Sequence, residues 1–192
     1  MRIVGGKWKG RAIEAPKGRE VTRPTTDRGR EQMASMILSA RGLDIEGDSV
    51  LDAFAGSGAM GFELLSRGAA HATLVDVDRP SAARLKRTAA ALGAGPREVS
   101  ATCGDVFALA AAGRLPGAPF DIVFLDPPYA FEAARVSRLV EDLLANNMLA
   151  EGCVVLYEHS SKAPGLDCAA LLHKKNKSHG VTAVDVYVYE RD

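Results

Sequence analysis

Apolar residues recur along this chain in two rhythms. Ser49 to Phe54, Ala72 to Val77, Phe120 to Leu125 and Val154 to Tyr157 are short, mostly apolar runs of strand length, and Glu98 to Thr102 reads as a further strand, third in chain order. Between them the apolar positions space out as on helices. Leu64 and Leu65 follow the first run, Ala83, Leu85, Ala89 and Leu92 follow the second, and Gly104-Asp105-Val106 opens a helix after the third. Val136, Leu139, Val140, Leu143 and Leu144 follow the fourth. Leu171-Leu172 and Val184 to Tyr189 read as two closing strands, with Lys174-Lys175-Asn176-Lys177 between them. Ahead of the first strand, Thr26 or Asp27 can cap a helix in which Met33, Met36 and Ile37 face inward until Arg41-Gly42 ends it. Such a helix would cross the sheet edge and turn Arg23 and Arg28 towards a ligand. Strand and helix alternate throughout, which predicts one doubly wound α/β domain over residues 25–192.

Residues 1–24 stand apart as an appendage. Ile3-Val4 and Ala12-Ile13 are joined by Gly5-Gly6-Lys7-Trp8-Lys9-Gly10-Arg11, a hairpin pattern with Trp8 placed to close it against the body. With so little apolar mass, this arm is expected to add little to the core. Charge gives it another task. The 192 residues carry no net charge, yet nine basic residues up to position 30 face only Glu14, Glu20 and Asp27. A head six charges positive on an acidic body points to a polyanion partner. Arg2, Lys7, Lys9, Arg11, Arg23 and Arg28 are its candidate contacts to such a partner. Neither a signal peptide nor a membrane-length apolar run is present, and three scattered cysteines without a CxxC pair argue against disulfides and zinc. A cytoplasmic, metal-independent protein is expected.

The chemistry gathers at strand ends. Asp126-Pro127-Pro128-Tyr129 closes the fourth of these strands, where open α/β sheets place their ligands. A carboxylate and a main-chain carbonyl there can hold an exocyclic amine of a nucleobase through its N–H groups. The carboxylate also stabilises positive charge that develops on the nitrogen during alkylation. Pro127 supplies a carbonyl without a competing N–H, and Tyr129 offers a flat face to a base. Asp126, Pro127 and Tyr129 are therefore the candidate catalytic residues.

Gly56-Ser57-Gly58-Ala59-Met60-Gly61 lies between a strand and a helix, as a nucleotide-binding turn requires. The glycine pattern also fits a dinucleotide, but no hydride-transfer machinery accompanies it. Acidic residues at successive strand ends fit S-adenosylmethionine better: Asp52 for its amino group, Asp76 for the ribose hydroxyls, Asp105 farther along the same edge. Phe54, Ala55, Gly56, Ser57, Gly58, Val77 and Val106 complete the expected cofactor contacts, with Asp126 at the methyl end.

With Arg2-Ile3-Val4-Gly5-Gly6, Arg23-Pro24-Thr25-Thr26-Asp27-Arg28, Phe54-Ala55-Gly56-Ser57-Gly58-Ala59, Ser66-Arg67-Gly68-Ala69 and Asp126-Pro127-Pro128-Tyr129, the chain resembles bacterial methyltransferases that modify a guanine N2 amine in small-subunit (16S) ribosomal RNA. It departs from them at Gly29 and at Ala34-Ser35. The resemblance implies a class I S-adenosylmethionine-dependent methyltransferase fold, with a seven-stranded, mostly parallel sheet whose last strand is antiparallel. It implies cofactor contacts at Asp76 and Asp105, base contacts at Asp126, Pro127 and Tyr129, and 16S rRNA, free or partly assembled, as partner of a monomer. Two rivals are an adenine-N6 methyltransferase acting on DNA and a non-catalytic, cofactor-binding RNA chaperone.

Overall fold

A computed structural model describes residues 1–15 and 26–191. Arg23 lies outside the described residues, as does the expected boundary at residue 24. Seven strands form one sheet: β1 (Ser49–Asp52), β2 (His71–Asp76), β3 (Val99–Cys103), β4 (Phe120–Leu125), β5 (Leu149–Ser160), β6 (Leu171–His179) and β7 (Thr182–Tyr189). Their order is β3-β2-β1-β4-β5-β7-β6. β1 to β5 pair in parallel, whereas β7 runs antiparallel to both neighbours. The strand order reverses between β1 and β4, which opens a crevice at their carboxyl ends.

Helices cover both faces. α1 (Asp27–Ala40), α2 (Ala59–Ser66) and α3 (Arg79–Leu92) pack on one side, and α4 (Val106–Ala111) and α5 (Ala133–Ala145) on the other. Side chains alternate between the two cores along each strand. Val50, Leu74, Phe124, Val154 and Leu156 belong to the first core, Leu51, Val75, Val123, Val155 and Tyr157 to the second. Caps match the sequence: the Thr26 side chain accepts from Gly29 N, and Asp78 and Asp105 cap α3 and α4. α1 lies over β5 and β7 on the sheet's face, not across its edge as expected, because Met33, Ala34, Met36 and Ile37 bury an apolar stripe there. None of the described helices is long and apolar enough to cross a membrane.

Two expectations are corrected. The head adds substantially to the core: Ile3, Trp8 and Ile13 are buried with the α1–α3 cluster. Its pairing is hairpin-like through a single Arg2–Ala12 bridge, with a 3-10 turn at Gly6–Trp8 in place of a simple bend. The run Lys174-Lys175-Asn176-Lys177 is not a connection between strands but the body of β6, an exposed edge strand held by pairing with β7.

The head is fastened by α2. Glu63, fully buried, accepts hydrogen bonds from Val4 N at 2.8 Å, Gly5 N at 2.9 Å and Arg67 Nε at 2.8 Å. Ser66 Oγ accepts from Trp8 N at 2.8 Å and donates to the Gly5 carbonyl. At Gly6, φ is +73° and the backbone rests so close on the Ser66 carbonyl that a Cβ would overlap it. Only glycine satisfies both demands.

Candidate active site

A cavity of about 720 Å³ opens at the carboxyl edge of β1 to β5. Asp52, Phe54 to Ser57, Asp76, Val77, Asp105, Val106, Asp126, Pro127 and Tyr129 all line it, so the sequence candidates at strand ends converge on one space. Gly58 stands just behind, where φ of +73° lets the loop turn into α2.

The strand registers align the carboxylates. Asp52 pairs with Leu74 on one side and Phe124 on the other, and Leu125 pairs with Tyr157. Asp76, Asp52, Asp126 and Glu158 thus continue the same side of four adjacent strands, the side facing α1. Asp52 is almost wholly buried. Its Oδ2 accepts from Gly61 N at 3.1 Å, while Oδ1 has no hydrogen-bond partner among the described residues. Desolvation, reinforced by Asp76, pushes its pKa up to about 7. Asp76 accepts from Gly56 N and Asp78 N, both at 2.8 Å. Each of its oxygens keeps a second lone pair for a hydroxyl group. Burial raises its pKa. Beside it Val77 is 77% exposed. Asp105 accepts from Phe107 N at 2.9 Å, so it serves as helix cap and cavity wall together.

Asp126 has its pKa pushed up to about 8, first by desolvation, then by the charges of Glu158 and Asp52. Glu158 is raised as well, chiefly by burial. Two half-buried carboxylates side by side disfavour simultaneous ionisation. Tyr129 is 55% exposed at the rim, its hydroxyl 3.1 Å from Thr182 Oγ1 at the start of β7.

Several cavity residues escape sequence reasoning. Glu158 carries one signal, the alternation Val154, Leu156, Glu158, which puts it on the Asp126 face once register is known. Phe131 and Phe107 pack edge-on at 5.8 Å, both touch Phe54, and the Arg135 guanidinium covers them at 4.4 and 4.1 Å. Met1 also lines the cavity, its Sδ 3.6 Å from Ser57 Oγ. Arg30, one of the nine basic residues up to position 30, carries no sequence signal of a place in the cavity. It is 1% exposed, lines the cavity, donates to Asp27 at 2.8 Å and to the Arg2 carbonyl, and sits 3.8 Å from Glu63. Its Nε and Nη1 have no hydrogen-bond partner among the described residues.

The candidate RNA contacts of the head are spread out and mostly engaged. Arg2 pairs with Asp27 at 3.1 Å, Lys7 with Glu98 at 3.0 Å, and Arg11 donates to the Ala91 carbonyl. Lys7 also lies over the Trp8 ring. Lys9 and Arg28 are exposed, without an ion-pair partner among the described residues.

Taken together, an open sheet ordered β3-β2-β1-β4-β5-β7-β6 with antiparallel β7, and this acid-lined edge, define a class I methyltransferase. The comparisons narrow the class. The chain belongs to the family described as Conserved hypothetical protein 95, whose model matches residues 1–188. It is similar to Ribosomal RNA small subunit methyltransferase D of Escherichia coli, at 38% identity over 158 residues, 82% of this chain and 74% of that one. The protein of the same name from Haemophilus influenzae is 30% identical over 97% of this chain and 93% of its own length. Among solved structures, "Putative methyltransferase yhhF from Escherichia coli" superposes with a TM-score of 0.80 at 33% identity, covering 100% of this chain and 99% of that one.

Proposed function

We propose that this protein transfers a methyl group from S-adenosylmethionine to the N2 amine of a guanine in 16S rRNA, as a cytoplasmic monomer acting on RNA or a partly assembled small subunit. The carrying observation is the adjacency of Asp126 and Glu158 in the cavity that also holds the orphaned oxygen of Asp52. The names of the relatives support ribosomal RNA as substrate.

The residues present fit the cofactor. A buried carboxylate with an unpartnered oxygen suits an ammonium group, Asp76 retains two lone pairs for ribose hydroxyls, and Val77 and Phe107 offer apolar faces to adenine. When bound, S-adenosylmethionine supplies a methyl group on a positively charged sulfur. This chain then positions the acceptor. Guanine presents an N2–H and the N1–H side by side, and two neighbouring carboxylates accept both. Adenine presents N6–H beside the N1 lone pair, which would oppose the second carboxylate. Glu158 favours guanine N2 over adenine N6 when it is ionised; protonated, it would donate to adenine N1 instead.

In its ionised form Asp126 would stabilise the positive charge that develops on N2 as the methyl group passes from sulfur to nitrogen. The nitrogen then gives up one proton to the ionised form of Asp126, which burial and Glu158 make more basic and whose share grows as pH rises towards 8. Tyr129, exposed at the rim, stacks on the base turned out of its surroundings.

The experiment supplies labelled methyl donor with 16S rRNA, small subunits or duplex DNA to the purified protein and identifies the labelled nucleoside. N2-methylguanosine is expected, with Glu158→Gln losing about 10- to 150-fold in kcat/KM, the range for a hydrogen bond to a charged group. N6-methyladenine in DNA, or cofactor binding without turnover, contradicts the reading.

A further inference from the structure

β6 contains three lysines, two histidines and no acidic residue over Leu171–His179. Register fixes where these side chains go. Lys175 lies opposite Val186, Lys177 opposite Val184 and His179 opposite Thr182. Val184 and Val186 are buried in the core beneath α1, so the three basic residues project on the sheet face towards which Asp126 and Glu158 open. Lys175 and Lys177 stand about 7 Å apart, two residues along a strand. The turn of the hairpin brings the row to the active-site rim. Ser161 N donates to the Val181 carbonyl at 2.9 Å, which sets Lys162 beside the turn, and Thr182 meets the Tyr129 hydroxyl. Val181 is 55% exposed there.

Lys162, Lys175 and Lys177 are exposed and have no ion-pair partner among the described residues, whereas Lys174 is held by Glu190 at 3.0 Å. We propose that the β6–β7 hairpin, through Lys162, Lys175 and Lys177, is a phosphate-binding surface that grips the RNA backbone next to the target base held at Tyr129. This rests on RNA as the substrate. Charge decides the occupant: a row of unpaired cations beside a nucleobase site matches a polyanion whose base enters that site. Lysines on an edge strand also discourage sheet-to-sheet pairing, and the test must separate the two roles.

The triple variant Lys162→Gln/Lys175→Gln/Lys177→Gln is compared with Arg138→Gln, which removes one charge from the far face on α5. Affinity for a 16S rRNA transcript is measured across salt, S-adenosylmethionine affinity at one salt, and self-association by sedimentation. The triple variant is expected to make the slope of log affinity against log salt shallower by about 2–3 units. Cofactor affinity should stay unchanged, and Arg138→Gln should leave the slope in place. An unchanged slope with new self-association would overturn the proposal in favour of edge protection. A lysine-dependent slope on duplex DNA with none on RNA would overturn the RNA assignment. If the slope changes on RNA but the wild type transfers no methyl group to it, the surface stands and the functional reading falls.

Discussion

The head and the β6–β7 hairpin are both rich in cations, and the structure uses them in opposite ways. In the head, Arg2 and Lys7 point back to Asp27 and Glu98, while the backbone is fixed by Glu63 and Ser66 and the core receives Ile3, Trp8 and Ile13. In the hairpin, Lys175 and Lys177 leave the edge of the sheet with nothing to answer them among the described residues. A cation matched inside its own chain has part of its attraction for phosphate already satisfied. Net charge of a segment therefore says less about nucleic-acid binding than the fraction left unpaired.

The largest test breaks the head's anchorage. Glu63→Ala would take the buried carboxylate away from Arg67 and from beside Arg30 and orphan two backbone N–H groups, and denaturant unfolding should show a loss of about 3–5 kcal/mol. A loss under ~1 kcal/mol would mean that the head is an appendage after all. Next comes the site bordered by both regions. Asp126→Asn should raise the barrier to methyl transfer by at least ~2 kcal/mol while barely changing cofactor affinity. The same substitution should stabilise the fold. Asp126 holds its proton up to about pH 8 in the folded chain but only to about 4 when unfolded, so its burial costs stability increasingly as pH rises between those values. The asparagine variant should gain about 1–3 kcal/mol over wild type, absent near pH 4, growing to pH 8 and then level. The upper end is discounted because Asp126 borders the open cavity. An advantage that shrinks with pH would contradict the half-buried carboxylate pair.

Asp76→Ala should weaken S-adenosylmethionine binding by about 10- to 150-fold, read by calorimetry. Unchanged affinity would remove Asp76 from the cofactor site. The smallest effect sharpens the comparison itself. Lys7→Ala should cost about 0.2–1 kcal/mol of stability, the value of a surface pair, and change the salt slope of RNA binding less than the hairpin substitutions do. A larger slope change at Lys7 would return the RNA contact to the head.

Much of this was legible in the chain because the signals are local. Asp126-Pro127-Pro128-Tyr129 and the glycine turn carry their chemistry within a few residues, and Asp52, Asp76 and Asp105 each stand at or just past the end of a strand. What stayed hidden depends on contacts between distant elements. Glu158 becomes a partner of Asp126 only through the Leu125–Tyr157 register. Ile3, Trp8 and Ile13 follow neither a helical nor a strand period, because a bridge and a 3-10 turn aim them inward. β6 has no alternation of apolar and polar residues, since an exposed edge strand held by β7 has little face to bury. Its lysines therefore read as a loop.

The most direct test is mass mapping of methylated nucleosides in 16S rRNA from cells lacking this protein, complemented with wild type or with Asp126→Asn. One guanosine should carry an N2-methyl group with the wild type and lose it both in the deletion and with the variant. An N2-methylguanosine pattern in the deletion strain identical to that of the wild type, or restoration by Asp126→Asn, would contradict the account.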